Sequence, residues 1–560
     1  MRFDAAFILL AVTATASTSS ALYISPAKHE QVSYLRKQLE VEFIAPIHVQ
    51  SSSSLSSSSS QSQSHSCKTA ALSLPDWLQV QNDAAFSHML ANIGPEALSD
   101  SDVLPGTPVA SPSRHLPNYY YHWVRDGAIT MRAVIKKYRS TGSPRMREIV
   151  ENYIATSKRV AAIDNLSGLR FNLENLGEPK FHVDGSAFNA EWGRPQRDGP
   201  ALRAIALIEY IEALDIHDDA SFDYLENLYQ SLIKPDLEYV SHFWAAPGFD
   251  LWEEVNGLHF FTAMVQHRAL EMGESLSSTV FQDIGAAQWY HSQAVGLSAF
   301  IHSFWNKERG HLVETLGSSR SGLDSALLLG AIHGSSASTF ELHSDEIIAS
   351  LNALVLDMRT RHPINILDAL DSDGDLPPSI GIGRYPEDVY YGGDRERDTK
   401  EAGNPWFLCT ATVAHTLYAL AAHILKLEHP LNISNATLAF YEPLLPFAPF
   451  VISDERCLPD SSISVSPNDE SSLQLVRNII RYADGFMRVI KKHSDERDLF
   501  SEQFDSKDGF MRGAEKLTWS FESVWSAVQA RTHALILLGE KCDSLDLPMA
   551  TYLRVFSGIF

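Results

Sequence analysis

Apolar residues recur at helical spacing through most of the chain after Leu74, and this periodicity restricts the fold more than any other feature of the sequence. The first stripe ends at Gly94, as is typical of a helix C-terminus, and consists of Trp77, Val80, Phe86, Met89, Leu90 and Ile93. Further helices are predicted at residues 149–163, 201–214, 260–272, 286–305, 346–358, 406–427, 473–490 and 517–538. Strand-like alternation is scarce, and no repeat of solenoid length is found. The sequence therefore predicts one large all-α domain whose long loops carry the chemistry.

A serine-rich tract at residues 51–66 divides the chain. Its composition cannot bury apolar surface and predicts a flexible linker. Upstream, a basic residue at position 2, an apolar run at 5–12 and small residues at 13–21 have the order of a signal peptide, which we place at residues 1–21, although Asp4 departs from that pattern. The short N-terminal segment 22–50 is too small to hold a core of its own. This leaves residues 67–560 for the main domain.

The charge balance excludes several classes of partner. The chain carries 69 acidic against 45 basic residues, a formal net charge of −24, which predicts repulsion from nucleic acid and from anionic lipid. No apolar run after the N-terminal segment is long enough to span a bilayer, so we expect no membrane association after signal removal. The P-loop, His-Glu-x-x-His, Cys-x-x-Cys and Gly-x-Ser-x-Gly motifs are absent from the sequence, and we expect no metal and no cofactor.

Other features agree with passage through the secretory pathway. Asn-x-Ser/Thr sequons predict glycosylation at Asn165, Asn432 and Asn435. Together with the signal peptide they predict a secreted, extracellular protein, with the vacuole as the alternative. Four cysteines allow three full pairings, which the sequence does not separate, and Cys409 fits a buried free thiol inside a helix.

Five loops mix aromatic residues, carboxylates and arginines, at residues 119–126, 192–198, 250–254, 383–388 and 501–505. Pyranose rings require this mixture, because their C–H faces pack on aromatic rings and their hydroxyls need charged partners to replace water. The alternative is that each tryptophan belongs to the core and each Arg–Asp pair lies on the surface. Five such loops in one helical protein favour a carbohydrate site.

Cleavage of a glycosidic bond requires a protonated carboxyl group and a second carboxylate. Glu253 and Glu254 are adjacent and so are not the opposed pair, but one of them fits the acid. Trp252 and the negative charges of Glu254 and Asp250 are expected to raise its pKa. Glu502 is the best candidate for the partner, although spacing alone does not select it.

The loops resemble those of the fungal and yeast glucoamylases of glycoside hydrolase family 15, in chain order from about residue 74 to about residue 521. The motifs that carry this resemblance are Leu176-Gly-Glu-Pro-Lys-Phe, Trp192-Gly-Arg-Pro-Gln-Arg-Asp-Gly-Pro, Asp250-Leu-Trp-Glu-Glu-Val-Asn-Gly, Gly383-Arg-Tyr-Pro-Glu-Asp, Asn404-Pro-Trp-Phe-Leu-Cys-Thr and Ser501-Glu-Gln. The resemblance implies an (α/α)6 barrel of six inner and six outer helices, with the site where the inner helices begin. Residues 67–560 would then be a single glucoamylase catalytic domain.

The same resemblance implies the roles of individual residues. Glu253 would be the general acid and Glu502 the general base of an inverting exo-hydrolase. Asp250 is a further catalytic candidate, because family patterns also suggest it as proton acceptor; we rank it below Glu502 and treat it as an electrostatic neighbour. Arg125 and Asp126 would hold the terminal glucose. The other implied substrate-binding residues are Tyr119, Trp192, Leu251, Trp252, Glu254, Arg384, Asp388, Trp406 and Trp519. The implied partners are starch, glycogen and maltooligosaccharides, bound by a monomer.

Some positions depart from the family pattern. Phe188 stands where many relatives carry tyrosine, and Gly513 replaces a residue that is often serine. A charged insertion follows Tyr391, at residues 394–401, and the sequence ends at Phe560 without the starch-binding domain of many relatives, so we expect weak adsorption to raw granules. Two alternatives stay open: a relative that cleaves trehalose or an α-1,6 glucan, and a non-catalytic glucan-binding protein.

Overall fold

The computed structural model describes residues 72–94, 102–214, 219–370, 374–393, 403–446, 463–467, 469–495 and 497–544. The predicted signal peptide, the segment 22–50, the serine-rich linker and the insertion at 394–401 lie outside the described residues.

Helices dominate the part of the chain that is described, as the periodicity predicts. In chain order, α1 to α15 are Leu74–Leu90, Val124–Thr141, Pro144–Ala161, Gly199–Ala213, Asp219–Leu228, Lys234–Phe243, Phe260–Thr279, Ile284–Ile301, Ala326–Gly334, Asp345–Arg361, Pro363–Leu370, Phe407–Lys426, Leu438–Tyr441, Glu470–His493 and Thr518–Ser544.

Six of these helices close a ring. In chain order α2, α4, α7, α9, α12 and α15 each contact the next, and α15 contacts α2. A second set packs outside them: α1 on α15, α3 on α2, α6 on α4 and α7, α8 on α7, α10 on α9, and α14 on α12. The chain is therefore an (α/α)6 barrel, which confirms the fold that the resemblance implied.

The inner helices α4, α9 and α12 are apolar on most faces because they are covered both by outer helices and by their neighbours in the ring. Helix α12 shows this most clearly. Contrary to the expectation from sequence, it is long and apolar enough to cross a membrane by length and composition, but 83% of that apolar window is buried inside the protein. Its hydropathy reflects its place in the barrel wall. Cys409 lies on this helix as a buried free thiol, as predicted.

Short antiparallel ribbons occur between the helices, and all but one of those described lie in loops that precede inner helices. Their strands, β1 to β10 in chain order, are His122–Trp123, Lys180–Phe181, Gly248–Phe249, Asn256–Gly257, Trp305–Asn306, His311–Leu312, Leu431–Ile433, Ile463–Val465, Gln503–Phe504 and Met511–Arg512. They pair β1–β2, β3–β4, β5–β6, β7–β8 and β9–β10. The β3–β4 ribbon flanks the 250–255 loop, and the β9–β10 ribbon begins directly after Glu502.

Several boundaries differ from the sequence predictions: the helix predicted at 149–163 is Pro144–Ala161, the one at 260–272 extends to Thr279, and the one at 517–538 extends to Ser544. The helix predicted at 286–305 ends at Ile301, because the chain turns through a short 3-10 segment and Trp305 enters strand β5. The stretch 119–126 is not wholly a loop, since Trp123 lies in β1 and α2 starts at Val124. Arg125 and Asp126 consequently lie in the first turn of an inner helix.

Candidate active site

The residues predicted to carry chemistry meet at the end of the barrel where the inner helices begin. Arg125 and Asp126 lie in the first turn of α2, Trp406 directly precedes α12, and Trp519 is the second residue of α15. The backbone of Trp406 forms an antiparallel β-bridge with Gln503, the residue after Glu502. This bridge joins the loop before α12 to the loop that carries Glu502. Side chains far apart in sequence therefore share one site.

The loop that carries Glu253 is held in a tight turn by a neighbouring carboxylate. Asp250 is 2% exposed, and its Oδ1 accepts hydrogen bonds from the backbone N–H groups of Glu254 and Val255, both at 2.7 Å. Glu253 itself has φ of 68°, a left-handed conformation that is uncommon for a residue with a side chain. Asp250 thus shapes the turn that presents Glu253.

The carboxylate of Glu253 is surrounded by donors from distant parts of the sequence. Its Oε1 accepts from Trp123 Nε1 at 2.6 Å and from Gln196 Nε2 at 2.9 Å. Arg125 Nη2 lies 3.8 Å from the same oxygen. Trp252, which the sequence analysis placed beside this group, donates its indole N–H to Asp324 at 2.9 Å.

Glu502 occupies a fully buried position on another loop of the same end. Its Oε2 accepts from Ala514 N at 3.3 Å and from the Tyr390 hydroxyl at 3.4 Å, whereas Oε1 makes no hydrogen bond to any described residue. Burial raises the pKa of Glu502 to about 7, and the nearby Tyr119 hydroxyl, the Ala514 N–H, the charge of Arg384 and the Tyr390 hydroxyl oppose that rise. One carboxylate oxygen is therefore left for a water molecule or a ligand.

Gly513 lies against this carboxylate. Its φ is +71°, and a Cβ added there would collide with Glu502 Oε2. Glycine at this position allows the 513–514 backbone to approach Glu502 closely, with Glu502 N donating to Ala514 O at 2.8 Å.

Tyr119 connects the two carboxylate environments. Its ring packs edge-on against Trp123, with centroids 5.5 Å apart, and its hydroxyl lies 3.1 Å from that of Tyr390. Since Trp123 donates to Glu253 and Tyr390 donates to Glu502, these three aromatic residues span the space between the two carboxylates. Burial and the charges of Glu502 and Glu253 raise the pKa of Tyr119, so its hydroxyl stays protonated.

A second cluster of charges centres on Arg384, which is 4% exposed. Its guanidinium forms a fork with Asp388, at 2.8 and 2.6 Å, and donates to Glu254 Oε1 at 2.8 Å. Glu254 also accepts from Arg320 at 2.8 Å and from the Tyr385 hydroxyl. Partial burial opposes ionisation of Glu254, but Arg384, Tyr385 and Arg320 together hold its pKa below the usual value.

Arg125 and Asp126 form a third charged group. Arg125 Nη1 donates to Gln196 at 2.8 Å and to Asp198 at 3.0 Å, and its Nε lies 3.4 Å from Asp126 Oδ2. Burial raises the pKa of Asp126 to about 6; Glu253 also raises it, whereas Arg125 lowers it. These residues place largely buried charged groups on the side of the site that carries Glu253.

Aromatic rings line the remaining wall. The rings of Trp252 and Trp406 are 5.7 Å apart, and Arg125 lies over Trp519 at 5.9 Å. The indole nitrogens of Trp192, Trp406 and Trp519 are buried and make no hydrogen bond to described residues. Leu251 is buried beside Trp252. Such rings with unsatisfied N–H groups suit a sugar, which has apolar C–H faces and hydroxyl acceptors.

Comparison with known proteins decides the family. The pattern of the glycosyl hydrolases family 15 matches residues 27–528. The chain belongs to this family. A glucoamylase of Saccharomycopsis fibuligera is 33% identical over 491 residues, covering 83% of this chain and 91% of the relative. A glucoamylase described as intracellular and sporulation-specific, from Saccharomyces cerevisiae, is 32% identical over 83% of this chain and 85% of its own.

The solved structure of a glucoamylase from Saccharomycopsis fibuligera superposes with a TM-score of 0.75 at 32% identity, covering 83% of this chain and 96% of that one. Family membership and these relatives confirm that the protein is a glycoside hydrolase of the glucoamylase kind.

Several residues of this family 15 site were not assigned from the sequence. Trp123, Gln196, Asp198 and Tyr385 lie within the loops or motifs that drew attention, so their presence beside the assigned residues was a usable signal. Tyr390 lay outside those motifs and had no such signal. Among the described residues, no group of three His, Cys, Asp or Glu is placed to hold a metal ion.

The three sequons differ in their surroundings, and we expect glycans at Asn432 and Asn435 but not at Asn165. The side chains of Asn432 and Asn435 are exposed. The Asn165 amide nitrogen, the atom a glycan would occupy, donates instead to the carbonyls of Asn175 at 2.9 Å and Ile163 at 3.3 Å. Peptide mass spectrometry after enzymatic deglycosylation in H₂¹⁸O measures this, and a glycan found at Asn165 would contradict it.

Proposed function

We propose that the protein releases single glucose units from the non-reducing ends of starch, glycogen and maltooligosaccharides, cleaving α-1,4 links and, more slowly, α-1,6 links, with inversion to β-D-glucose. The observation that carries this is the pair Glu253 and Glu502, placed on separate loops and joined through Tyr119, among aromatic rings with unsatisfied N–H groups. A cluster of carboxylates and aromatic rings of this kind fits a terminal sugar.

In the proposed reaction, Glu253 gives its proton to the glycosidic oxygen as the bond from C1 to that oxygen breaks. Glu502 takes a proton from a water molecule, and the oxygen of that water bonds to C1 from the opposite face. The free Oε1 of Glu502 is the atom available to that water. Tyr119, between the two carboxylates, supports the positive charge that develops on the sugar ring, and Arg125, Asp126 and Arg384 hold its hydroxyls.

The division of roles follows the family pattern rather than the electrostatics of the site. The surroundings of Glu502 alone favour its protonated form, which an acid requires. The oxygen Oε1 of Glu253 meanwhile accepts two N–H groups. A substrate whose leaving group needs no proton separates the two assignments.

Exo-action is tested with maltohexaose labelled at its reducing end. An enzyme that removes single terminal glucose units shortens the labelled chain one unit at a time, giving a ladder of five, four and three units. Early appearance of short labelled fragments without the longer ones would show internal cleavage and refute the proposal. Trehalose and isomaltose, tested alongside, examine the alternative linkages.

Tyr390→Phe is expected to move the acidic limb of the pH profile of kcat/KM to higher pH, by about half a unit to one unit. The Tyr390 hydroxyl donates to Glu502, which favours the ionised form, so its loss raises the pKa of Glu502. A base works only when ionised, and activity is lost as the pH falls through that pKa. Tyr391→Phe is the matched control, because the Tyr391 hydroxyl contacts Ser506 at 2.9 Å. An acidic limb at the wild-type position in Tyr390→Phe would contradict this role.

The cellular location, the oligomeric state and the absence of a cofactor are predictions. The predicted signal peptide and the exposed sequons at Asn432 and Asn435 support secretion, with the vacuole as the alternative. A monomer without a cofactor is a separate prediction. Fractionation of the producing cells and size-exclusion chromatography of the purified protein test these points.

A further inference from the structure

Lys180 places a cation among four aromatic rings beside the site. Its ammonium lies 3.5 Å from the ring centroid of Trp192, 4.1 Å from Tyr121, 4.4 Å from Phe188 and 4.5 Å from Trp123. The residue is 2% exposed. Attraction between a cation and the faces of aromatic rings grows as water is removed. We refer to these four rings as the aromatic cage.

The aromatic cage is joined directly to Glu253. Trp123 pairs with Lys180 across the β1–β2 ribbon, and its indole N–H donates to Glu253 Oε1 at 2.6 Å. The rings of Trp123 and Trp192 also contact each other, with centroids 6.1 Å apart. An ammonium that attracts both indoles therefore fixes the donor that orients Glu253.

Several charged groups surround this arrangement. Burial lowers the pKa of Lys180 to about 8, Glu253 acts in the opposite direction, and Arg194 lowers it further. The charge of Arg194 is paired with Glu178 at 2.8 Å, and Arg125 is a second cation near Glu253. Below pH 8 the amine is thus charged.

Two further titratable groups face the aromatic cage. Tyr121 is one of its four rings, and the ring of His182 packs on Tyr121 and Phe188 at 5.4 and 5.7 Å. Neither is a carboxylate that would pair with the ammonium.

We propose that Lys180 is a positioning residue for the acid: its ammonium holds the indole of Trp123 against Glu253 and keeps a positive charge beside that carboxylate. This rests on the proposed function, in which Glu253 is the group that protonates the leaving oxygen. A positive charge near a carboxylate stabilises the negative charge on its oxygens, and Lys180 supplies that charge through the geometry of the aromatic cage.

Lys180→Met tests this, because methionine keeps an unbranched side chain and removes the charge. We expect kcat/KM on maltose at pH 5 to fall about tenfold. The basic limb of the pH profile should move to higher pH, by about half a unit to one unit. Lys180→Arg, which keeps the charge, should leave the basic limb at the wild-type position. Lys307→Met, at an exposed lysine, controls for general loss of charge.

The outcomes separate the two proposals. An unmoved basic limb in folded Lys180→Met, or an equal movement in Lys180→Arg, would overturn the role of the charge. Lys180→Gln provides a second charge-free variant if the methionine variant does not fold, with the same expected movement. A wild-type protein that releases no glucose would refute the proposed function instead.

Discussion

Glu253→Gln is expected to lower kcat on maltose by about 10²–10⁴-fold, because the amide has no proton to give the leaving oxygen. The side chain keeps its size, and its carbonyl oxygen can still accept from Trp123 and Gln196. The loss should depend on the substrate. With 4-nitrophenyl α-D-glucoside, whose leaving group departs as a stable anion, the variant should keep a much larger share of wild-type activity. Initial rates on the two substrates measure this directly.

The control is Glu191→Gln, which neutralises an exposed carboxylate beside Trp192 and should retain wild-type rates on both substrates. If Glu253→Gln instead lost the same factor on both substrates, Glu253 would not be the general acid. That result would point to the reverse assignment, which the buried, proton-favouring position of Glu502 would then explain.

Glu502→Gln is expected to lower kcat by about 10²–10⁴-fold on both substrates, because water must be activated whichever leaving group departs. The variant should fold well. Burial raises the pKa of Glu502 above its value in the unfolded chain. At neutral pH the ionised side chain therefore lowers the free energy of unfolding. A neutral amide avoids that cost, and we expect a Tm at pH 7 equal to or above that of the wild type.

Glu515→Gln, an exposed position on the same loop, serves as the matched control and should leave both rates unchanged. A Glu502→Gln variant that recovered activity on the aryl glucoside alone would contradict the base role and assign acid chemistry to Glu502. A strongly lowered Tm would contradict the account of its burial.

The helices could be predicted from the sequence because a helix buried on one face has apolar residues at helical spacing. This spacing is local, so it can be recognised without knowing which distant residues the helix contacts. Helix α7 begins at Phe260, as the apolar pattern indicates. Periodicity could not show that α12 owes its hydropathy to the barrel wall, since a buried helix and a membrane helix have the same composition. The sequence predicts a loop at residues 119–126, whereas α2 begins at Val124. The polar residues Arg125 and Asp126 interrupt the apolar helical pattern in its first turn.

The site was harder to predict, because its contacts join distant positions. Trp123 donates to Glu253 across 130 residues, and no spacing rule connects them. The turn at Glu253 depends on hydrogen bonds from the backbone N–H groups of Glu254 and Val255 to the buried Asp250 carboxylate. The sequence pattern does not reveal these hydrogen bonds. The family motifs supplied the choice of Glu253 and Glu502, whereas the structure alone brought Tyr390, Gln196 and Lys180 to them.

The most direct test of the central claim is to follow the anomer of glucose released from maltotriose by proton NMR at about pH 5, using the wild-type protein. An inverting exo-hydrolase with an acid and a base on opposite faces of the sugar yields β-glucose first, and the α-anomer grows only as mutarotation proceeds. We expect that result. Initial release of α-glucose would show net retention and contradict the roles proposed for Glu253 and Glu502.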